Sequence, residues 1–193
     1  MARAMASLLS RQDLGLAELH AARLDGELFA VDERFAPLDE VDSPHLRASA
    51  LRQLGGDRLI AELGSALWIR GLRSQAPRVH RVCVPREDRM KFPPSARFVV
   101  REITHRPGDA ERIAGMLVCV PSRILYDLAL VGGAEAAMDA RLLLSTHPEL
   151  GAECAARLRG AYNLPGKRDA LARLVSWTEA EGRQQSSAWR TVA

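Results

Sequence analysis

Apolar positions recur every three or four residues near both ends of this chain, whereas the middle carries short β-branched runs cut by proline and glycine. Ser10 followed by Asp13 predicts a capped helical start at residues 11–16. Leu16, Leu19, Ala22 and Leu24 continue at helical spacing, and Gly26 provides a stop. Leu28, Phe29 and Val31 begin an extended run, residues 32–34 turn, and residues 35–38 return as a second strand. Helix, glycine, strand, charged turn and strand in that order predict the end of a winged helix-turn-helix. The polar face of its helix, with Glu18, His20, Ala21 and Arg23, is the side that such a fold brings to the major groove.

A second part begins near Asp42. Ser43-Pro44 starts a helix whose apolar face is Leu46, Ala50, Leu51 and Leu54, ending at Gly55-Gly56. An extended run at 58–60 leads into a helix over 61–70, with Leu63, Ala66, Leu67 and Trp68 inward and Gly71 as its stop. Strands are predicted at 79–84, 97–103 and 116–120, separated by a charged, proline-rich loop at 85–95 and a polar turn at 105–112. Pro121 stops the last of these strands, and Ser122 caps a helix with Ile124, Leu125, Leu128 and Val131 on its apolar face. Helices follow at 134–145, 148–159 and 167–181, the last two parted by the N-L-P-G turn at 163–166. On the last helix Ala170, Leu171, Leu174, Val175 and Thr178 are expected inside. The resulting expectation is α+β: a small winged-helix-like unit at 1–42, then at 43–183 a short antiparallel sheet with flanking helices and a helical C-terminus, then a flexible tail at 184–193.

Composition narrows the class. With 193 residues, 47% of them hydrophobic and 26% charged, the chain can bury a core. It has no apolar run approaching the roughly 20 residues of a membrane helix, and the apolar stretch before Arg11 is too short for a secretory signal, which leads us to expect a cytoplasmic protein without membrane contact. Cys83, Cys119 and Cys154 have neither disulfide-framework nor zinc-knuckle spacing and are expected as buried thiols.

Charge is unevenly distributed. Residues 1–45 hold four arginines against nine acids, a formal charge of −5, while residues 68–106 hold ten basic residues against three acids, a formal charge of +7. A basic middle concentrates polyanions, so nucleic acid or an acidic partner is sought there first. Arg97 and Arg101 alternate onto the expected wet face of a strand, at a spacing that can follow a phosphate backbone. The candidate nucleic-acid contacts are therefore Arg81, Arg97 and Arg101 in the middle, His20 and Arg23 on the head helix, and Lys167 and Arg168 at the start of the last helix. Because the head is acidic, Arg97 and Arg101 are expected to matter more than His20 and Arg23.

Catalytic signatures are missing from the sequence. The five histidines show no H-x-x-x-H pair, and no Walker, dinucleotide or nucleophile-elbow motif occurs. The two lysines, Lys91 and Lys167, follow Arg89 and Pro165 at the spacing where an acidic-x-Lys nuclease element needs a carboxylate. Gly64-Ser65 suggests a nucleotidyltransferase loop, but no D-x-D follows to hold two metal ions. The expectation is a protein with no catalytic residues, no metal and no cofactor.

Several segments in order resemble the AbiEi family of antitoxins from type IV toxin-antitoxin systems, in the short actinobacterial form that lacks a C-terminal endonuclease-like domain. They are S-R-Q-D-L at 10–14 with L-H-A-A-R-L-D-G-E-L-F-A-V at 19–31, A-L-W-I-R-G-L at 66–72, V-H-R-V-C-V-P-R at 79–86, V-P-S-R-I-L-Y-D-L-A at 120–129 and N-L-P-G-K-R-D-A-L at 163–171. The resemblance implies a winged helix-turn-helix that binds promoter DNA and represses its own operon, and a second domain that counteracts a nucleotidyltransferase-like toxin. It departs from the family in its short head and in Asp32-Glu33, where the family wing tends to be basic. The alternative is a protein-interaction module that docks an acidic partner through residues 68–106 without binding DNA.

Overall fold

The structure is a computed structural model that describes residues 7–88 and 95–191; side chains are described as far as Arg183. Residues 89–94, within the expected 85–95 loop, and residues 192 and 193 of the expected tail lie outside the described residues. The fold is α+β, and its packing forms two units, Met1–Arg106 with Ala110–Val118, and Pro107–Asp109 with Cys119–Ala193. The division therefore does not follow the expected boundary near Asp42. Head and sheet share one unit.

In the first unit the Asp13 carboxylate accepts from both the amide and the hydroxyl of Ser10 at 2.9 Å, closing a turn over the residues that were expected to start the helix. Helix α1 (Leu16–Leu24) begins three residues after Asp13, where the Glu18 carboxylate accepts from the Gly15 amide at 2.8 Å. Strands β1 (Leu28–Val31) and β2 (Arg34–Pro37) pair antiparallel, and Leu9 bridges to Phe35 as a third strand position. Leu9, Leu19, Leu28 and Phe35 form a small core beneath this ribbon. At the two-residue turn Asp32 adopts φ 56°, a left-handed conformation that aspartate tolerates better than most residues.

Helix α2 (Pro44–Gly55) starts as expected, with the Ser43 hydroxyl accepting from the Leu46 amide at 3.3 Å and proline in the first turn. Strand β3 (Ile60–Ala61) precedes α3 (Leu63–Ile69), whose residues, Trp68 included, are all buried. Strands β4 (His80–Pro85), β5 (Phe98–Ile103), β6 (Ala110–Ile113) and β7 (Met116–Cys119) complete a sheet in the order β5-β4-β3-β7-β6. This sheet is mixed rather than antiparallel: β3 runs antiparallel to β4, whereas β3–β7 and β4–β5 are parallel. The physical reason is connection length, because the twelve residues between β4 and β5 suffice for a crossover whereas a hairpin needs only a few. Strand β6 lies where the sequence predicts a polar turn. Its Glu111 and Arg112 are exposed on a strand at the sheet edge, where polar side chains stay solvated and leave no apolar alternation.

The second unit contains α4 (Pro121–Val131), α5 (Gly133–Thr146), α6 (Leu150–Gly160) and α7 (Lys167–Thr191). Val120, not Ser122, occupies the cap position of α4, because Pro121 with its fixed φ and missing N–H fits the first helical residue. Ile124, Leu125 and Leu128 are buried as expected, but Val131 is exposed. On α7 the buried stripe is Ala170, Leu174 and Trp177, which leaves Val175 exposed and Leu171 half-buried. The backbone remains helical to Thr191 where a frayed tail was expected.

Candidate nucleic-acid interface

The acids of the head and the bases of the middle meet inside the first unit. Arg97 pairs with Asp32 and with Glu33, the latter at 2.8 Å, so the β1–β2 turn closes onto the residue preceding β5. Asp32 also receives His80 Nε2 at 3.1 Å, and His80 Nδ1 lies 3.1 Å from the Ser65 hydroxyl. His80 is fully buried, with its ring between Trp68 at 5.7 Å and Phe98 at 5.8 Å. Burial raises the affinity of the Asp32 carboxyl for a proton, but His80 and Arg97 outweigh it and hold the group below its ordinary value.

The line of Ser65, His80 and Asp32 brings together the residue types of a nucleophilic triad. Here Ser65 is fully buried and its oxygen already accepts from the Arg81 amide at 2.9 Å. The arrangement ties α3, β4 and the wing turn together.

Two further arginines are held in the same way. Arg101 forms a two-point pair with Glu62 at 2.7 and 2.6 Å, and Glu62 is fully buried. Arg47 binds Asp42 at 2.6 Å through two nitrogens and donates to the carbonyls of Trp68 and Arg73 at 2.7 and 3.0 Å. The phosphate contacts expected of Arg97 and Arg101 are thus occupied by carboxylates of their own unit. Arg81 is exposed on β4, beside exposed Arg78 and Val79 and paired in register with exposed Val99.

On the head, α1 buries Leu19 and leaves His20 and Arg23 exposed, with Arg11 and Gln12 exposed in the turn before it. The His20 ring packs edge-on against Phe35 at 5.4 Å. Asp25 and Glu27 remain exposed, and both lie at the C-terminal end of α1, away from Arg11 and Gln12.

In the second unit Asp109 accepts from Arg123 at 2.6 Å and from Arg157 at 2.7 and 2.9 Å, and Arg123 also holds Asp127 at 2.8 Å. Both guanidinium groups lie over Tyr126, at 5.6 and 4.6 Å from its ring centre. Burial disfavours the charge on Arg123, but Asp127 and Asp109 more than offset this, so it binds its proton more tightly than usual. Burial pushes the Cys154 thiol up to about 12. Lys167 is structural: its ammonium donates to the carbonyls of Arg159 and Ala161 at 2.6 and 2.8 Å, closing the end of α6. Arg168 is exposed. In the first unit Cys83 Sγ lies 3.3 Å from His105 Nε2, a thiol–imidazole pair that residues so far apart in sequence do not announce.

Of the expected nucleic-acid contacts, His20, Arg23, Arg81 and Arg168 are exposed, whereas Arg97, Arg101 and Lys167 have internal partners. Sequence reasoning does not single out Arg11, the enclosed carboxylates of Asp32 and Glu62, or the exposed Glu33 that shares Arg97. The charged turn at 32–33 was the available signal, since two acids at a wing tip call for a cation nearby.

No family model matches the chain, and neither does any curated protein. Among solved structures it is similar to the RV2827C protein from Mycobacterium tuberculosis, with 16% identity and a TM-score of 0.47 over 92% of this chain and 73% of that one. Among the described residues, no helix is long and apolar enough to cross a membrane.

Proposed function

We propose that this chain is a non-catalytic regulator whose head contacts duplex DNA through α1 and the turn before it. The observation that carries the reading is the closure of the β1–β2 turn onto its own unit, in which the Asp32 side chain is enclosed against His80 and Arg97 while the exposed Glu33 pairs with Arg97 at the surface. Of the two acids of this turn that would repel phosphates, Asp32 is thereby enclosed beside Arg97, and Glu33 is paired to the same arginine. Arg11 and Gln12 stand in the turn before the N-terminal end of the helix, the end a recognition helix presents to base edges, and His20 lies midway along it. The resemblance to AbiEi antitoxins supplies the setting: repression of the chain's own promoter, and counteraction of a nucleotidyltransferase-like toxin. A gel shift on the DNA upstream of its own gene tests the reading. Binding is expected to weaken as salt rises, and H20A/R23A is expected to reduce it at least tenfold. Unchanged binding by that variant, or no binding at low salt, would remove the head from the role.

A second reading is supported by the outer face of β4 and β5, where Arg78 and Arg81 stand beside exposed Val79 and Val99. Cationic and apolar groups together suit an acidic protein surface better than a bare phosphate backbone. R78E/R81E abolishing co-purification of a neighbouring gene product, with DNA binding intact, would favour it.

A further inference from the structure

The corner between α6 and α7 displays a tyrosine for which the fold has no use. Tyr162 is 90% exposed, although the loop that carries it is firmly anchored. Lys167 Nζ bonds Arg159 and Ala161 carbonyls across the corner, the Ala161 amide donates to Leu158, and the Lys167 amide donates to Leu164. Asn163 takes φ 48° to make the bend. A Cβ placed on Gly160 or on Gly166 would meet nothing within 4 Å, so both glycines of the corner face open space. Arg159, Asn163 and Arg168 are exposed around it, and the Lys167 bond to Arg159 brings the two helix ends that carry Arg159 and Arg168 together. The one acid in the first turn of α7 is Asp169.

We infer that this corner is a nucleic-acid contact in the second unit, where an unpaired base stacks on Tyr162 while the flanking phosphates meet Arg159 and Arg168. An exposed aromatic ring on an anchored corner, with cations on the adjoining helix ends, is what single strands use, because every base has a flat face and every linkage a charge. A protein partner is the weaker match. Interface hot spots sit within apolar surroundings that exclude water, whereas Tyr162 has glycine, asparagine and proline about it and Leu164 is half-buried. The site is independent of the head, and its failure leaves the duplex reading untouched.

The test titrates the full chain against a labelled thymidine oligomer of about 15 nucleotides, within the span of one stacking groove. Y162A is expected to weaken binding roughly fivefold or more, and Y162F to stay within about twofold, since phenylalanine keeps the stacking face. R159A/R168A is expected to lower the logarithmic salt slope by about 1.4, at roughly 0.7 per single-strand phosphate. Wild-type affinity in Y162A overturns the inference, as does an equal loss in Y162F. Competition by an acidic peptide as effective as the oligomer overturns it in favour of a protein partner. Thermal unfolding of Y162A matching that of the native chain confirms that any loss is local.

Discussion

Arg97 and Arg101 are each joined to a carboxylate that has lost most or all of its contact with water. Removing Arg101 leaves Glu62 fully buried and without its two-point partner, which is expected to cost on the order of 3 kcal/mol. Removing Arg97 is expected to cost less, about 2 kcal/mol, because Asp32 retains His80. H20A and R23A, at exposed positions, should each stay within about 0.5 kcal/mol. Urea denaturation of the four variants gives the ranking, and equal stability of R101A and R23A would show that the internal pairs contribute little. The same pairs predict a pH effect. The folded-state pKa of Asp32 lies below its ordinary 3.8, so its stabilising contribution is complete above that value and is lost as the pH falls through the folded pKa. D32N should therefore narrow the difference between melting temperatures at neutral pH and at strongly acid pH. Alternation along a strand identified Arg97 and Arg101 as neighbours on one face, but their use depends on Asp32 and Glu62, 65 and 39 residues away in sequence.

At the level of elements, α7 gives the sharpest comparison. Leu174 is buried and Val175 exposed, so L174A should cost about 3 kcal/mol and V175A under about 0.5, measured by thermal or urea unfolding. Sequence periodicity placed both inside, because leucine, valine and threonine at 171, 175 and 178 fill a second helical stripe as well as the buried one. The neighbouring helix is expected to shield its thiol. Cys154 on α6 is buried and its pKa is pushed up to about 12, so at pH 8 it should resist an alkylating reagent until the chain is unfolded. Rapid labelling of Cys154 in the native protein would contradict this. Capping signals were legible where the local chain was sufficient, as at Ser43-Pro44. They misled at Ser122, since the proline before it had already set the helix start one residue earlier.

At the scale of the whole molecule, the acidic head and basic middle suggested opposed surfaces, one repelling nucleic acid and the other attracting it. Packing in the first unit cancels part of that contrast. Non-specific duplex binding should accordingly show a shallow salt slope, about −2 if two arginines of the head release counterions at roughly 0.9 each, and a much steeper one if the +7 segment were engaged as a whole. The sequence by itself determined the α+β class, the placement of most helices, the short apolar strands of the middle but not β6, and the two-strand ribbon, because these follow from spacing, turn residues and proline within a few neighbours. Only the tertiary structure decided the mixed sheet, the union of head and sheet in one unit, and which charges face water. Strand direction depends on the path of the connection, and the fate of a charge depends on whether a partner from a distant segment reaches it.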